Sequence, residues 1–270
     1  MISIIIPTLN EEKLLPRLLK SIKKQGSVEY EIIVADANSS DRTVEIARKY
    51  GCKIVPGGKP AVGRNNGAKV AKGDYLLFLD ADVVLPDNFL KEIIETCEEK
   101  NIDIATCKIS PISKKKIDIA LHSIYNFYSL LTQYFYPHAP GFCILVRKDL
   151  FNKVGGFNEM LKLAEDHDFV KRAGKKGKFR VLSSAKILVS TRRLEKDGRI
   201  ATSIKYCLCE IYRFICGEIK TDIFNYEFSH YNKEKTSKKL LPSLINKECL
   251  KKEFEKKISD FLEKKISFRK

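Results

Sequence analysis

Two carboxylates one residue apart close a hydrophobic run: Leu76-Leu77-Phe78-Leu79 leads directly into Asp80-Ala81-Asp82. On a turn leaving a buried strand, such a pair can grip a hard cation, Mg²⁺ or Mn²⁺, and that cation can hold a diphosphate. The same acids in a solvated loop would need no explanation, so their place at a strand end is what counts. Asp36 ends another apolar run and can accept hydrogen bonds from a base or ribose. Its neighbours Asn38, Ser39 and Asp41 suit turn and capping chemistry, with Asp41 as the cap. Arg64, in Gly63-Arg64-Asn65, is expected just before a helix, where it could meet phosphate oxygens beside the helix dipole. The cluster Glu165-Asp166-His167-Asp168 opens a further helix. Acids there complement the dipole, but a carboxylate in a cleft also serves as a general base for a hydroxyl acceptor. His167 is expected to point sideways, and His138, before a proline, is a weak ligand candidate.

These residues need elements to hold them. Ile2 to Ile6 reads as a buried strand, followed by a helix from Glu11 to Lys24 capped by Thr8 or Asn10. Strands at 31–35, 53–55 and 75–79 alternate with helices at 43–50 and 65–71. That alternation predicts a parallel sheet with helices on both faces, whose ligands bind at the carboxyl ends of the strands. A helix at 87–100, strands at 104–108 and 142–147, and helices at 149–154 and 165–175 follow. An aromatic-rich segment spans 117–136. Two amphipathic helices close the chain. The first, 200–219, carries a stripe of Ile204, Leu208, Ile211, Ile215 and Ile219, and is expected to pack on the catalytic domain. The second, 246–266, pairs Leu250, Phe254, Ile258, Phe261 and Leu262 with Lys-rich faces.

In order along the chain, Pro7-Thr8-Leu9-Asn10-Glu11-Glu12, Asp36 to Thr43, Gly63-Arg64-Asn65-Asn66-Gly67 and Ala71 to Asp82 resemble the N-terminal half of family-2 inverting glycosyltransferases. Gly141-Phe142 to Arg147, Phe151, Val154-Gly155-Gly156-Phe157 and Glu165 to Phe169 resemble their second half. The likeness covers about residues 1–195. It implies an α/β fold of GT-A type: a mostly parallel central sheet with helices on both faces, here extended by C-terminal amphipathic helices. The implied donor is a nucleoside-diphosphate sugar, lined by Pro7, Thr8, Leu9, Asn10, Glu11 and Arg64. Asp36 would lie at the base, Asp80 near the ribose and sugar, and Asp82 on the metal. Asp166 matches the catalytic base, with Glu165 beside it, for hexosyl transfer with inversion.

The chain departs from the pattern at Ala37, where a second Asp is common, and at Val84, where polyprenyl-phosphate sugar synthases usually offer another polar ligand. Those synthases also tend to lack the later acidic motif. The acceptor is therefore expected to be a hydroxyl of a glycan or lipid-linked glycan, with a lipid phosphate as the alternative. Thr191-Arg192-Arg193-Leu194 resembles a basic stretch that could meet the diphosphate or an anionic acceptor, or simply be a charged loop.

The implied division is a catalytic domain over 1–195, with a donor half to about 86, and a Lys-rich helical extension over 196–270. Net charge is +16 over 270 residues, and residues 233–270 contribute +7 of it. Such a balance favours nucleotides, nucleic acid or an anionic membrane face. A nucleic-acid or membrane module without catalysis would leave the strand-end acids unexplained, and no nucleic acid is expected. A nucleotidyltransferase would leave Glu165-Asp166 without a job. Eight scattered cysteines with no CxxC pair read as reduced thiols, and no signal peptide or membrane span is visible. The expected location is cytoplasmic, peripheral on the inner membrane face, with the 246–266 helix on an anionic surface.

Overall fold

The computed structural model describes residues 1–26, 28–221 and 223–224. The helix expected at 246–266, and Cys249, lie outside them. The seven cysteines among the described residues are free thiols. The chain divides into two compact units: Met1–Glu159 with Ala164–Arg192, and Met160–Leu163 with Arg193–Lys270.

The first unit is built on an eight-stranded sheet. Its strands are β1 (Ile2–Thr8), β2 (Tyr30–Asp36), β3 (Lys53–Pro56), β4 (Tyr75–Phe78), β5 (Val83–Val84), β6 (Ile104–Pro111), β7 (Ile144–Arg147) and β8 (Phe179–Val189). Their spatial order is β3-β2-β1-β4-β7-β6-β8-β5. β3, β2, β1 and β4 run parallel, as the strand–helix alternation requires. β7 runs antiparallel between β4 and β6, so the sheet is mixed beyond β4. β8, to which the sequence reading assigns no element, pairs parallel with β6 across a bulge between Cys107 and Lys108.

Helices α1 (Leu15–Lys23), α2 (Thr43–Lys49), α3 (Pro60–Val70), α4 (Phe89–Glu99), α5 (Lys116–Thr132), α6 (Lys148–Val154) and α7 (Glu165–Gly174) surround this sheet. Side chains alternate across β1. Ile2, Ile4 and Ile6 join Leu15, Leu18, Leu19 and Ile22 in one core, while Ile5 joins Phe78, Phe151 and Phe169 in the other. Gly67 of α3 lies so close to β1 that an added Cβ would collide with Ile5.

Three local expectations need correction. α1 starts at Leu15, not Glu11, and neither Thr8 nor Asn10 caps it. Asn10 takes a left-handed φ of 56° and spends its side-chain oxygen on the Ser40 amide. α3 starts at Pro60, whose fixed φ suits the first helical turn, so Arg64 lies inside the helix and not before it. In the second unit, α8 (Arg192–Asp197) leads to α9 (Arg199–Cys216). Of the stripe expected there, Ile211 and Ile215 are exposed and only Ile219, past the helix end, is buried. α9 instead buries Cys209, Tyr212 and Arg213, the last ion-paired with Glu210 and Glu218.

Candidate active site

The carboxyl ends of β1, β2 and β4 lie on one edge of the sheet because these strands are parallel and in register, with Thr8 opposite Asp36. Their polar residues are bonded to one another. Asp36 accepts from the Thr8 hydroxyl at 2.9 Å, the Ser39 amide at 2.8 Å and the Ser39 hydroxyl at 2.6 Å. Ser39 Oγ accepts from the Asn10 amide, and the Thr43 hydroxyl accepts from the Glu11 amide. Asp41 accepts from the Thr43 amide at the start of α2, but it stands one residue ahead of the N-cap position expected of it, which Arg42 holds. Pro7 and Leu9 flank Thr8 and are half-buried. The β1 and β2 ends are thus one hydrogen-bonded rim.

Arg64 joins the end of β4 to the later acidic motif. It is buried, and its two terminal nitrogens donate to Glu165 Oε1 at 2.7 Å and Asp80 Oδ1 at 2.9 Å. The guanidinium also lies 5.4 Å from the Phe157 ring centroid. Burial disfavours its charge, but Asp80, Glu165 and Asp166 raise its pKa above the ordinary arginine value. Burial, and then Asp166, push the Glu165 carboxyl upward, while Arg64 opposes them. Arg64 therefore holds carboxylates together here, from a position inside α3 and not at its end.

Asp166 stands beside this ion pair on the first turn of α7. Its Oδ2 accepts from the Gly141 amide at 2.6 Å and its Oδ1 from the His167 amide at 2.8 Å. A Cβ on Gly141 would collide with the Arg64 guanidinium, so a larger residue there would displace Arg64 from its place between Asp80 and Glu165. Asp168 is committed elsewhere: it pairs with Arg172, which also bonds the carbonyls of Val154 and Gly156. Asn65 fixes the approach to α7 by bonding both backbone groups of Phe157.

Arg192 is the residue whose role the sequence left most open. It grips Glu11 with two hydrogen bonds of 2.6 and 2.8 Å and approaches Asp82 at 3.1 Å. Burial raises the Glu11 pKa, and Arg192 opposes the rise. No local signal marks this contact, since 181 residues separate the partners. Among the described residues no group of three His, Cys, Asp or Glu side chains could hold a metal. Asp80 and Asp82 remain as two hard oxygen donors at one strand end. Two such donors are what a Mg²⁺ site completed by water and substrate phosphates takes from the protein, and here Arg64 and Arg192 stand on them at 2.9 and 3.1 Å.

The architecture is of GT-A type. Solved structures share it: TarS of Staphylococcus aureus in complex with UDP-GlcNAc superposes with a TM-score of 0.59 at 24% identity, covering 78% of this chain and 66% of that one. The mannosyltransferase PcManGT of Pyrobaculum calidifontis, in complex with GDP-Man and Mn²⁺, gives 0.63 at 18% identity, covering 78% and 64%. The chain belongs to glycosyl transferase family 2, whose profile matches residues 3–155. The poly(ribitol-phosphate) β-N-acetylglucosaminyltransferase TarS of S. aureus strain Mu50 is 28% identical over 238 residues, which are 80% of this chain and 40% of TarS. The 4,4′-diaponeurosporenoate glycosyltransferase of Staphylococcus haemolyticus is 44% identical over 102 residues, 34% of this chain and 27% of that one. The chain thus spans about two fifths of the length of TarS.

Proposed function

We propose that this protein transfers a sugar, with inversion, from a nucleoside-diphosphate sugar to a hydroxyl of a glycan or lipid-linked glycan. The observation that carries the reading is Arg64, which ties Asp80 at the donor edge to Glu165 beside Asp166. It brings a diphosphate-side acid and a candidate base into one constellation.

In this reading Pro7, Thr8, Leu9, Asn10 and Glu11 line the donor, Asp36 faces the base, and Asp80 faces the ribose and sugar. Asp80 and Asp82 would hold Mg²⁺ or Mn²⁺, which when bound supplies positive charge to the diphosphate. Arg192, already on Asp82, adds a second cation there. The acceptor oxygen bonds to the anomeric carbon as the bond from that carbon to the diphosphate oxygen breaks. Asp166 takes the acceptor proton, and the electron pair leaves with the diphosphate. The two backbone amides on Asp166 hold it in one orientation, which is what a positioned general base needs. Arg64 offsets part of the negative charge of Glu165 and Asp80 around it.

The catalytic domain of this reading covers 1–195, with 196–270 as an extension. Its location is cytoplasmic and peripheral on a membrane, supported by the basic charge. Among the described residues no helix is long and apolar enough to cross a membrane.

The test is a panel of nucleotide sugars with Mn²⁺ or Mg²⁺, read first by thermal shift. UDP-GlcNAc comes first, since TarS has been solved with it. A ligand at 100 times its dissociation constant adds about 2.7 kcal/mol. Asp82→Asn is expected to lose the metal-dependent part of this shift. Asp166→Asn is expected to keep the shift and lose about 10²- to 10⁴-fold in transfer. Full transfer by Asp166→Asn would move the base elsewhere.

A further inference from the structure

Helix α5 rests on the cores through partly buried Tyr125 and Leu130, yet its most buried face is polar. The side chains it buries are polar: Asp118, His122, Ser129 and Thr132. Asn126 clamps the backbone N–H and C=O of Ile109 on β6, at 2.9 and 2.8 Å. Just past the helix, Gln133 accepts from the Val181 amide on β8 at 3.0 Å. These bonds satisfy backbone groups of the two strands on either side of the β6–β8 bulge, and they fix which face of the helix points inward.

The outward face is apolar. Ile117, Ala120, Ile124, Phe127 and Leu131 are exposed at spacings of three and four, and Tyr134 and Phe135 continue the patch. Ile124, Phe127 and Leu131 are 67%, 69% and 61% exposed. Between Lys116 and Arg147 the only acid is Asp118, which is fully buried. A surface helix whose sole exposed charge is Lys116 at its first position, in a chain with 31% charged residues, marks an interaction surface.

We propose that this face lies on an anionic bilayer surface. Basic groups stand at both ends of the stripe. Lys114, Lys115 and Lys116 are exposed at the start. At the other end Arg180 lies over the Tyr134 ring at 4.7 Å and Lys171 over the Tyr136 ring at 6.0 Å. Apolar and aromatic side chains between cations are the composition of a helix lying flat in a membrane interface, here about 25 Å long at 1.5 Å per residue. A second copy is disfavoured by charge: paired α5 stripes would set lysines against lysines, or against the Arg180 end, with no exposed acid to offset them. The segment after α5 reaches Gly141, which touches Asp166, so one stretch of chain joins this face to the acceptor side of the site. The inference deepens the membrane-peripheral reading above and assigns it to α5, independently of the chain beyond 224.

The test is flotation of the full chain with vesicles of phosphatidylcholine alone or mixed with phosphatidylglycerol, at low salt. The wild type is expected to float with the mixed vesicles. The variant Ile124→Glu, Phe127→Glu, Leu131→Glu is expected to bind them about tenfold more weakly or worse, with an unchanged melting temperature and unchanged thermal shift by nucleotide sugar. The milder Phe127→Ser, Leu131→Ser variant should fall between. Equal flotation of wild type and both variants would overturn α5 as the surface while leaving the membrane location standing. A wild type that stays at the bottom of the gradient would overturn both. Equal binding to neutral vesicles would overturn the anionic choice, and a wild-type dimer dispersed by the variant would assign the face to a second copy.

Discussion

Helices α1 and α5 both carry apolar residues at helical spacing, yet they are turned in opposite senses. α1 buries Leu15, Leu18, Leu19 and Ile22 and leaves its lysines in water. α5 buries Asp118, His122, Ser129 and Thr132 and leaves Ile124, Phe127 and Leu131 outside. The difference lies in what each helix covers. α1 covers the apolar side chains of β1 in one core, and of its buried side chains only Ser21 serves a backbone group outside the helix, the Leu85 amide. α5 lies beside the irregular β6–β8 pairing, whose backbone groups its polar side chains complete. Periodicity identifies a stripe, and the surface beneath the helix decides where that stripe points.

The sharpest way to break this comparison is by truncation. Leu18→Ala in α1 is expected to cost about 2–5 kcal/mol, because it leaves a cavity in a closed core. Chemical denaturation measures it, and a cost near zero would mean that α1 is not packed as described. On α5 the sensitive position is polar. Asn126→Ala should cost about 1–3 kcal/mol by stranding the N–H and C=O of Ile109. A smaller loss would show that water replaces the amide readily.

Acid should separate the two helices further. Burial lowers the His122 pKa below its ordinary 6.5, against the opposing pull of Asp118. The unfolded chain therefore binds this proton first as pH falls. The contribution of neutral His122 is complete above 6.5 and is lost as pH drops through that value toward the folded pKa. Denaturation midpoints from pH 7.5 to 5.5 should fall in the wild type and fall less steeply in His122→Gln. Parallel slopes would remove His122 from the account. The smallest effect belongs to the outer stripe: Leu131→Ala is expected to change stability by no more than about 0.5 kcal/mol. A cost like that of Leu18→Ala would mean that the α5 face is covered in solution.

Much of the site was legible in the residues. An apolar run ending in a polar residue places Thr8, Asp36 and Asp80 at strand ends, because a buried strand tolerates few polar groups until it emerges. Parallel order then brings those ends to one edge. Acids at the start of a helix place Glu165 and Asp166 together. β8 was not read, because the exposed Ser183-Ser184 interrupts its apolar pattern.

The sequence by itself determined the parallel strand–helix order, the edge where the polar strand ends gather, and which acids stand there. Those properties depend on neighbours a few residues away, through backbone propensity and the period of the side chains. Only the tertiary structure decided that Arg64 bridges Asp80 and Glu165, that Arg192 reaches back 181 residues to Glu11, and that α5 faces outward with its apolar side. Each of these depends on which groups of distant segments lack partners once the sheet has formed. Buried charges and unpaired backbone groups cost most when left alone, so they select their partners in space and not along the chain.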